Sequence, residues 1–239
     1  MQTTELDPTL SNTLDNARKP GLTLVIGNKN ISSWSMRPWV AAVAFNIPFT
    51  EVRLLLDQPD TAAKIAAYSH AGRVPVLLAG EMTIWDSLAI CEYLAEQFPD
   101  KHLWPQDVAA RALARSIVCE MHSGFAALRN DMSMNIQANL PGRGRTPGAQ
   151  ADIGRICEIW EDCLSRFGHR GFLFGEFSIA DAFYAPVVMR FMTYGVALAP
   201  ALHAYCKRML AHPAVARWVN EAMLETESTP LHDADLPRA

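Results

Sequence analysis

The sequence predicts an α+β domain followed by an all-helical domain. Between residues 22 and 98, strand-like and helix-like segments alternate in the order β-α-β-α-β-β-α. The next segment, FPDKHLWPQD, has two prolines and no hydrophobic period, and only helical patterns come after it. We therefore predict five regions: a mobile N-terminal extension (1–21), a first domain (22–98), a linker (99–107), a second domain (108–228) and a C-terminal tail (229–239).

The first half of the α+β domain contains two predicted strands, each followed by a predicted helix. Leu22–Ile26 is an apolar run of strand length, and Phe49–Leu54 alternates loosely. The Ala-rich run Trp34–Phe45 predicts a helix, with Pro38 tolerated in its first turn. Thr61–Tyr68 predicts a second, shorter helix.

The second half of this domain, RVPVLLAGEMTIWDSLAICEYL, carries two features that suit ligand binding. Pro75 begins a predicted strand, where proline usually indicates a cis bond or an edge position. A cis bond there turns the Val74 backbone N–H and C=O away from the sheet, so that they can bind a ligand. Asp86 and Ser87 lie at the start of a predicted helix, where free N–H groups and the helix dipole can hold a small carboxylate. A short peptide with charged ends fits both features.

The helical domain is predicted from apolar stripes at three- and four-residue spacing. The first stripe predicts one long helix and consists of Leu113, Ile117, Met121, Phe125 and Leu128. The segment FSIADAFYAPVVMRFM is apolar on nearly all sides and predicts a buried central helix. Its start, Ser178 to Asp181, fits the [ST]-x-x-[DE] capping box, so we assign Asp181 a structural role.

Composition excludes several other classes of protein. The chain has 239 residues, 50% hydrophobic and 19% charged, which is typical of a globular protein and not of a disordered one. The net charge of −4 and the scattered basic residues give no support for binding nucleic acid. The longest apolar stretch, Trp39–Phe45, is too short to span a membrane. Five cysteines without a CxxC motif and no signal-like start predict free thiols in the cytoplasm.

The stretch from Arg73 to Leu94 resembles the glutathione-binding half of the cytosolic glutathione S-transferases. The resemblance implies a thioredoxin-like N-terminal domain, an all-α C-terminal domain, glutathione as co-substrate, no metal, a role in detoxification and a homodimer. It implies that cis-Pro75 presents Val74 to the cysteinyl backbone of glutathione and that Asp86 and Ser87 hold the γ-glutamyl end. Arg73 is placed to neutralise the glycine carboxylate.

The resemblance also places the sulfur of glutathione at the segment SSWSMR. This segment is similar to the serine motifs of zeta- and tau-class members, which suggests a serine-type, zeta- or tau-like bacterial transferase. There the active serine lies five residues before the arginine, so Ser32 is the first candidate for a hydroxyl that donates to the thiolate and Ser33 is the alternative. Trp34 replaces the cysteine of the zeta class, which argues against the isomerase activity of that class.

We expect the electrophile pocket between the two domains, lined by Trp34, Met36, His122, Phe125 and Arg129. The predicted function is transfer of glutathione to a small, mostly hydrophobic electrophile. The first alternative is a glutathione-dependent cis–trans isomerase of the maleylacetoacetate type, and the second is a non-catalytic binding module of the same fold.

Overall fold

A computed structural model describes residues 21–227, so the predicted N-terminal extension (except Gly21) and the predicted C-terminal tail lie outside the described residues. The predicted order of elements in the first domain is confirmed. Its strands and helices are β1 (Leu22–Ile26), α1 (Ser33–Ala44), β2 (Thr50–Arg53), α2 (Thr61–Ala66), β3 (Val76–Ala79), β4 (Met82–Trp85) and α3 (Ser87–Gln97).

The four strands form one mixed sheet in the order β2-β1-β3-β4. Strand β1 pairs in parallel with β2 and antiparallel with β3, and β3 pairs antiparallel with β4. Alternate residues of β1 pack on opposite faces of the sheet, as the two-residue period of a strand requires. Leu24 and Ile26 belong to the main core with α1 and α3, whereas Val25 packs with Ile65 of α2.

The second domain is all-helical, as predicted. Its helices are α4 (Val108–Ser123), α5 (Ala126–Asp131), α6 (Pro147–Phe167), α7 (Ile179–Thr193), α8 (Pro200–Ala211) and α9 (Pro213–Met223). Helix α7 is the predicted central helix, and each of its residues except Met192 is buried. The predicted capping box is present: the Asp181 carboxylate accepts from the Ser178 backbone N–H at 3.0 Å, and the Ser178 hydroxyl accepts from the Ala180 N–H at 3.2 Å. The Asp181 carboxylate also accepts from the Leu173 N–H and the Tyr205 hydroxyl, both at 3.1 Å.

One helix prediction is wrong. The apolar stripe from Leu113 to Leu128 does not lie on a single helix, because α4 ends at Ser123 and α5 begins at Ala126. Phe125 takes a left-handed conformation at φ 59° between them. The guanidinium of Arg129 turns back and donates to the free carbonyls of Gly124, Met121 and His122. These bonds replace the helical hydrogen bonds that the break removes.

The two domains share one hydrophobic core. Helix α7 packs against α1 of the first domain, and α9 packs against the same helix. Trp39 of α1 and Trp218 of α9 are fully buried and meet edge to face, with their ring centroids 5.2 Å apart. The start of α1 is therefore fixed by the helical domain as well as by the sheet.

Candidate active site

A cavity of about 920 Å³ lies beside the N-terminal ends of α1 and α3. It is lined by residues of both domains: Ile31, Ser32, Ser33, Trp34, Leu56, Ile65, Ala71, Gly72, Arg73, Val74, Pro75, Trp85, Asp86, Ser87 and His122. These residues lie in six separate stretches of the sequence, and the fold brings them to one opening. Every residue that we expected to bind glutathione, together with both candidate serines, lies on this wall.

The Val74–Pro75 peptide bond is cis, as expected. The pairing of β3 with β1 starts at Val76, so the Val74 backbone lies before the first rung of this ladder. Val74 and Pro75 both line the cavity. The site thus offers a stretch of backbone that an extended peptide could pair with.

Asp86 and Ser87 form the second part of the site, at the start of α3. Asp86 has a left-handed backbone at φ 75°, and its Oδ1 accepts from the N–H groups of Leu88 at 2.8 Å and Ala89 at 3.4 Å. The other oxygen, Oδ2, lies 3.1 Å from Nε2 of His122 in the helical domain. The buried Ser87 hydroxyl has no hydrogen-bond partner among residues 21–227. An unpaired buried hydroxyl in a cavity wall is ready to bond to a ligand.

The serine segment forms the third part of the site. Ser32 precedes the first turn of α1, but its side chain makes no capping bond to the helix. Its hydroxyl instead bonds to Ser35 Oγ at 2.7 Å, and Ser35 Oγ accepts from the Gly27 N–H at 3.1 Å. The Ser33 hydroxyl accepts from Arg190 Nη2 of α7 at 3.3 Å. None of these hydroxyls serves as a helix cap, and Ser33 is tied to the helical domain.

Buried arginines lie behind the serine segment. Arg37 is 1% exposed, and its guanidinium carbon lies 4.1 Å from the Trp34 ring centroid and 5.0 Å from that of Phe183. Burial lowers the pKa of Arg37 well below its usual value, and the charges of Arg129 and Arg190 lower it further. Burial likewise lowers the pKa of Arg190 to about 10, again with a contribution from Arg129. Positive charge is thus concentrated beneath Trp34, at the side of the cavity that carries Ser32.

Comparison with known proteins gives a consistent result. The family model for the glutathione S-transferase N-terminal domain matches residues 31–97, and the model for the C-terminal domain of the same family matches residues 109–221. The chain belongs to the glutathione S-transferase family.

Individual relatives and a solved structure are consistent with this family membership. Glutathione S-transferase 1 of Dianthus caryophyllus is 36% identical over 51% of this chain and 56% of its own length. Maleylacetoacetate isomerase of Rattus norvegicus is 27% identical over 86% of this chain and 90% of its own length. A crystal structure of a glutathione transferase homologue from Burkholderia with bound glutathione superposes with a TM-score of 0.66 at 25% identity, covering 84% of this chain and 98% of the other.

The predicted electrophile wall of the transferase is only partly assembled at the cavity. Trp34 and His122 line it, with their ring centroids 5.3 Å apart in an edge-to-face contact. Met36 does not, because it is fully buried in the core behind α1. Phe125 is 7% exposed in the same core, and Arg129 is occupied with the carbonyls at the end of α4. Arg129 reaches the wall from behind, since its guanidinium carbon lies 4.8 Å from the Trp34 ring centroid.

The sequence does not predict the C-terminal clamp, by which we mean Glu221 of α9 and the nearby Glu225, whose carboxylates bind the loop before Ser32. The Glu225 carboxylate accepts from the backbone N–H groups of Lys29 at 2.7 Å and Asn30 at 3.0 Å. The Lys29 ammonium, 4% exposed as a residue, pairs with Glu51 at 2.7 Å and with Glu221. The only signal in the sequence is the polar run NKN beside a predicted strand, which does not reveal distant partners.

Residues 21–227 contain neither a membrane-spanning helix nor a cluster of metal ligands. No helix in this part of the transferase is both long and apolar enough to cross a bilayer. In the same residues, no group of three or more His, Cys, Asp or Glu side chains is arranged to hold a metal ion.

Proposed function

We propose that this transferase binds glutathione in the cavity and activates its thiol for attack on a small, mostly hydrophobic electrophile. One observation carries the proposal: the cis-linked pair Val74–Pro75, Ser32, and Ser87, whose hydroxyl has no partner within residues 21–227, all line the same cavity. The Val74 backbone can pair with a peptide, the Ser87 hydroxyl can bind a carboxylate, and the Ser32 hydroxyl can donate to a thiolate. A γ-glutamyl tripeptide with a thiol needs all three.

Each end of glutathione has a complementary partner in this arrangement. The Ser87 hydroxyl and the N-terminus of α3 bind the γ-glutamyl carboxylate, and Asp86 binds the neighbouring ammonium group. The Val74 backbone pairs with the cysteinyl residue, and the exposed Arg73 binds the glycine carboxylate. His122 donates its Nε2–H to Asp86 as a neutral imidazole, because burial lowers the pKa of His122. The negative charge of Asp86 thus remains for the ligand.

The Ser32 hydroxyl then stabilises the thiolate. A free thiol has a pKa near 8.5, and lowering it by about two requires roughly 2.7 kcal/mol in favour of the anion. A hydrogen bond to a charged group contributes about 1.5–3 kcal/mol, and a helix N-terminus adds about 0.3–1 kcal/mol. These two contributions are sufficient, and the buried Arg37 and Arg190 act in the same direction.

Glutathione binding and thiolate absorbance test this function. We expect the native protein to bind glutathione, to conjugate it to an activated aryl halide and to lower the pKa of the bound thiol. Ser32→Ala should reduce the thiolate-to-thiol ratio roughly 10- to 100-fold, the equivalent of one charge-assisted bond. The matched variant Ser33→Ala should have a smaller effect, because Arg190 holds that hydroxyl.

Three results would change the assignment. A native protein that does not bind glutathione would contradict the proposal and favour a non-catalytic module. A loss of thiolate in Ser33→Ala but not in Ser32→Ala would move the donor role to Ser33. Equal thiolate in all three proteins would leave the helix N-terminus and the arginines as the activating groups.

A second candidate is a glutathione-dependent isomerase of a maleyl-type double bond. The relative named maleylacetoacetate isomerase aligns with 86% of this chain. Positive charge lies at two places near the cavity: Arg73 lines it, and Arg37 lies against the ring of Trp34. An isomerase of this type must accept a dicarboxylate. Maleate or fumarate should therefore compete with the electrophile if this reading is correct, and neither should inhibit conjugation if the site accepts apolar electrophiles alone.

We also propose that the protein works in the cytoplasm as a homodimer. All five cysteines are free thiols, which favours a reducing compartment. The dimer rests on family membership. Sedimentation velocity tests it directly: a single monomeric species at micromolar concentration would contradict it.

A further inference from the structure

We propose that Ser35 is a positioning residue, whose hydroxyl donates to Ser32 and thereby directs the Ser32 proton toward the sulfur of glutathione. This inference rests on the proposed function, in which Ser32 is the thiolate donor. The starting observation is a pair of hydroxyls, Ser32 Oγ and Ser35 Oγ, 2.7 Å apart. Ser35 is fully buried, and Ser32 is 7% exposed on the cavity wall.

The position of the pair on α1 is unusual. In a capping box, the side chains at the N-cap and at the third helical residue each bond to a backbone N–H of the helix. Ser32 and Ser35 occupy these two positions, but the Ser32 side chain makes no capping bond. The hydroxyls bond to each other instead. The helix has given up a stabilising cap, and the pair needs another explanation.

Counting protons supplies one. Ser35 Oγ already accepts from the Gly27 N–H at 3.1 Å, and one proton lies between the two serine oxygens. That proton can come from either hydroxyl, since each hydroxyl is one donor and two acceptors. When Ser32 supplies it, the Ser35 proton has no acceptor among residues 21–227, and the single Ser32 proton is unavailable to a ligand.

The reverse order satisfies every group when a thiolate is present. Gly27 then donates to Ser35, Ser35 donates to Ser32, and Ser32 donates to the sulfur. Hydrogen bonds that run in one direction polarise each other, so the last donor of this chain is stronger than an isolated serine. The Gly27 N–H, the first donor in this series of hydrogen bonds, belongs to the backbone and cannot rotate away. Because it always donates to Ser35 Oγ, the Ser35 proton points to Ser32 and keeps the Ser32 hydroxyl in its donating orientation.

Removing the Ser35 hydroxyl tests the inference. We expect Ser35→Ala to lower the thiolate-to-thiol ratio of bound glutathione roughly three- to tenfold, because Ser32 loses its polarising partner. The affinity for glutathione at a pH where the thiol is protonated should change less than threefold, since Ser35 does not line the cavity. Ser35→Thr, which keeps the donor, should restore the ratio. Ser116→Ala, on the exposed face of α4, is the matched control.

A double-mutant cycle with Ser32→Ala separates the possible failures. If Ser35 acts through Ser32, the double variant should have the same thiolate ratio as Ser32→Ala alone. The inference is overturned if Ser32→Ala lowers the ratio and Ser35→Ala does not, or if the two effects multiply. If Ser32→Ala itself has no effect, the donor role in the proposed function fails first. If the extra methyl group of Ser35→Thr prevents folding, the test still stands, because the double-mutant cycle uses only the alanine variants.

Discussion

Removal of the Glu225 carboxylate should loosen the loop that carries Ser32. In Glu225→Ala, the backbone N–H groups of Lys29 and Asn30 lose their acceptor, and both residues are buried, at 4% and 7% exposure. Each buried donor left unpaired costs about 1–3 kcal/mol. Arg53 Nη1 also loses its bond to Glu225, at 2.9 Å, but this costs little because the site is partly exposed and Arg53 keeps its pair with Glu227.

We therefore expect Glu225→Ala to lower the free energy of unfolding by about 3 kcal/mol, with two unpaired amides at about 1.5 kcal/mol each. Glu225→Gln is the matched control, because its amide oxygen still accepts one of the two N–H groups. It should lose about half as much. Chemical denaturation measures both values, and amide hydrogen exchange at Lys29 and Asn30 shows whether the loop opens locally.

A small loss of unfolding free energy in Glu225→Ala, together with unchanged hydrogen exchange, would contradict this expectation. If Glu225→Ala loses less than about 0.5 kcal/mol, the loop is held by its other contacts alone. Those contacts include the bond from Trp218 Nε1 to the Lys29 carbonyl, at 2.9 Å. A normal thiolate ratio in Glu225→Ala would likewise show that Ser32 is positioned without the clamp.

Three further predictions concern single groups. Ser87→Ala should weaken glutathione binding roughly tenfold by calorimetry while leaving the free energy of unfolding within about 0.5 kcal/mol, because the hydroxyl has no partner among the described residues. Burial lowers the pKa of His122 below the ordinary 6.5, so the unfolded chain binds this proton more tightly and stability falls as the pH drops through that value. The free energy of unfolding of the native protein, taken relative to that of His122→Gln, should therefore decrease as the pH falls from 7 to 5, and denaturation of both proteins measures it. Burial raises the pKa of Asp181 from 3.8 to about 6, so its contribution to stability falls as the pH rises through that range. Asp181→Asn should remove this slope, and a native protein whose stability relative to Asp181→Asn does not change with pH would contradict the assignment.

The order of elements could be predicted because burial follows the hydrophobic period. Leu22–Ile26 is a strand with the predicted bounds, and α7 is the predicted buried helix. The break between α4 and α5 could not be predicted in the same way. Leu113 to Leu128 keep a helical period across it, and the capping by Arg129 depends on a side chain that folds back in space.

In the candidate site, too, the features that depend on neighbouring residues could be predicted and the others could not. The Val74–Pro75 and Asp86–Ser87 features are local, because a cis proline and a helix start depend on neighbouring residues, and the sequence therefore revealed both. The expectation that Met36 lines the pocket beside Trp34 is wrong, because residues two apart on a helix point in nearly opposite directions.

Contacts between distant parts of the chain were invisible to the sequence. Ser33 meets Arg190 across 157 positions, and Lys29 meets Glu225 across 196. Ser33, Lys29 and Glu225 lie in polar or mixed segments, whereas Arg190 lies in the apolar helix α7. Neither setting contains a local pattern that selects the partner. With no such pattern, only the folded chain identifies these pairs.

The C-terminal clamp also has a consequence for the order in which the protein becomes functional. Because the ribosome synthesises the chain from its N-terminus, the loop before Ser32 emerges long before Glu221 and Glu225. The sheet and α1 can form early, but Lys29 then lacks Glu221, and the Lys29 and Asn30 amides lack Glu225. The loop before Ser32, which we propose as the donor to the thiolate, is completed only when α9 and Glu225 have been synthesised. A chain that ends before Glu221 would therefore have the proposed glutathione cavity without the contacts that hold this loop.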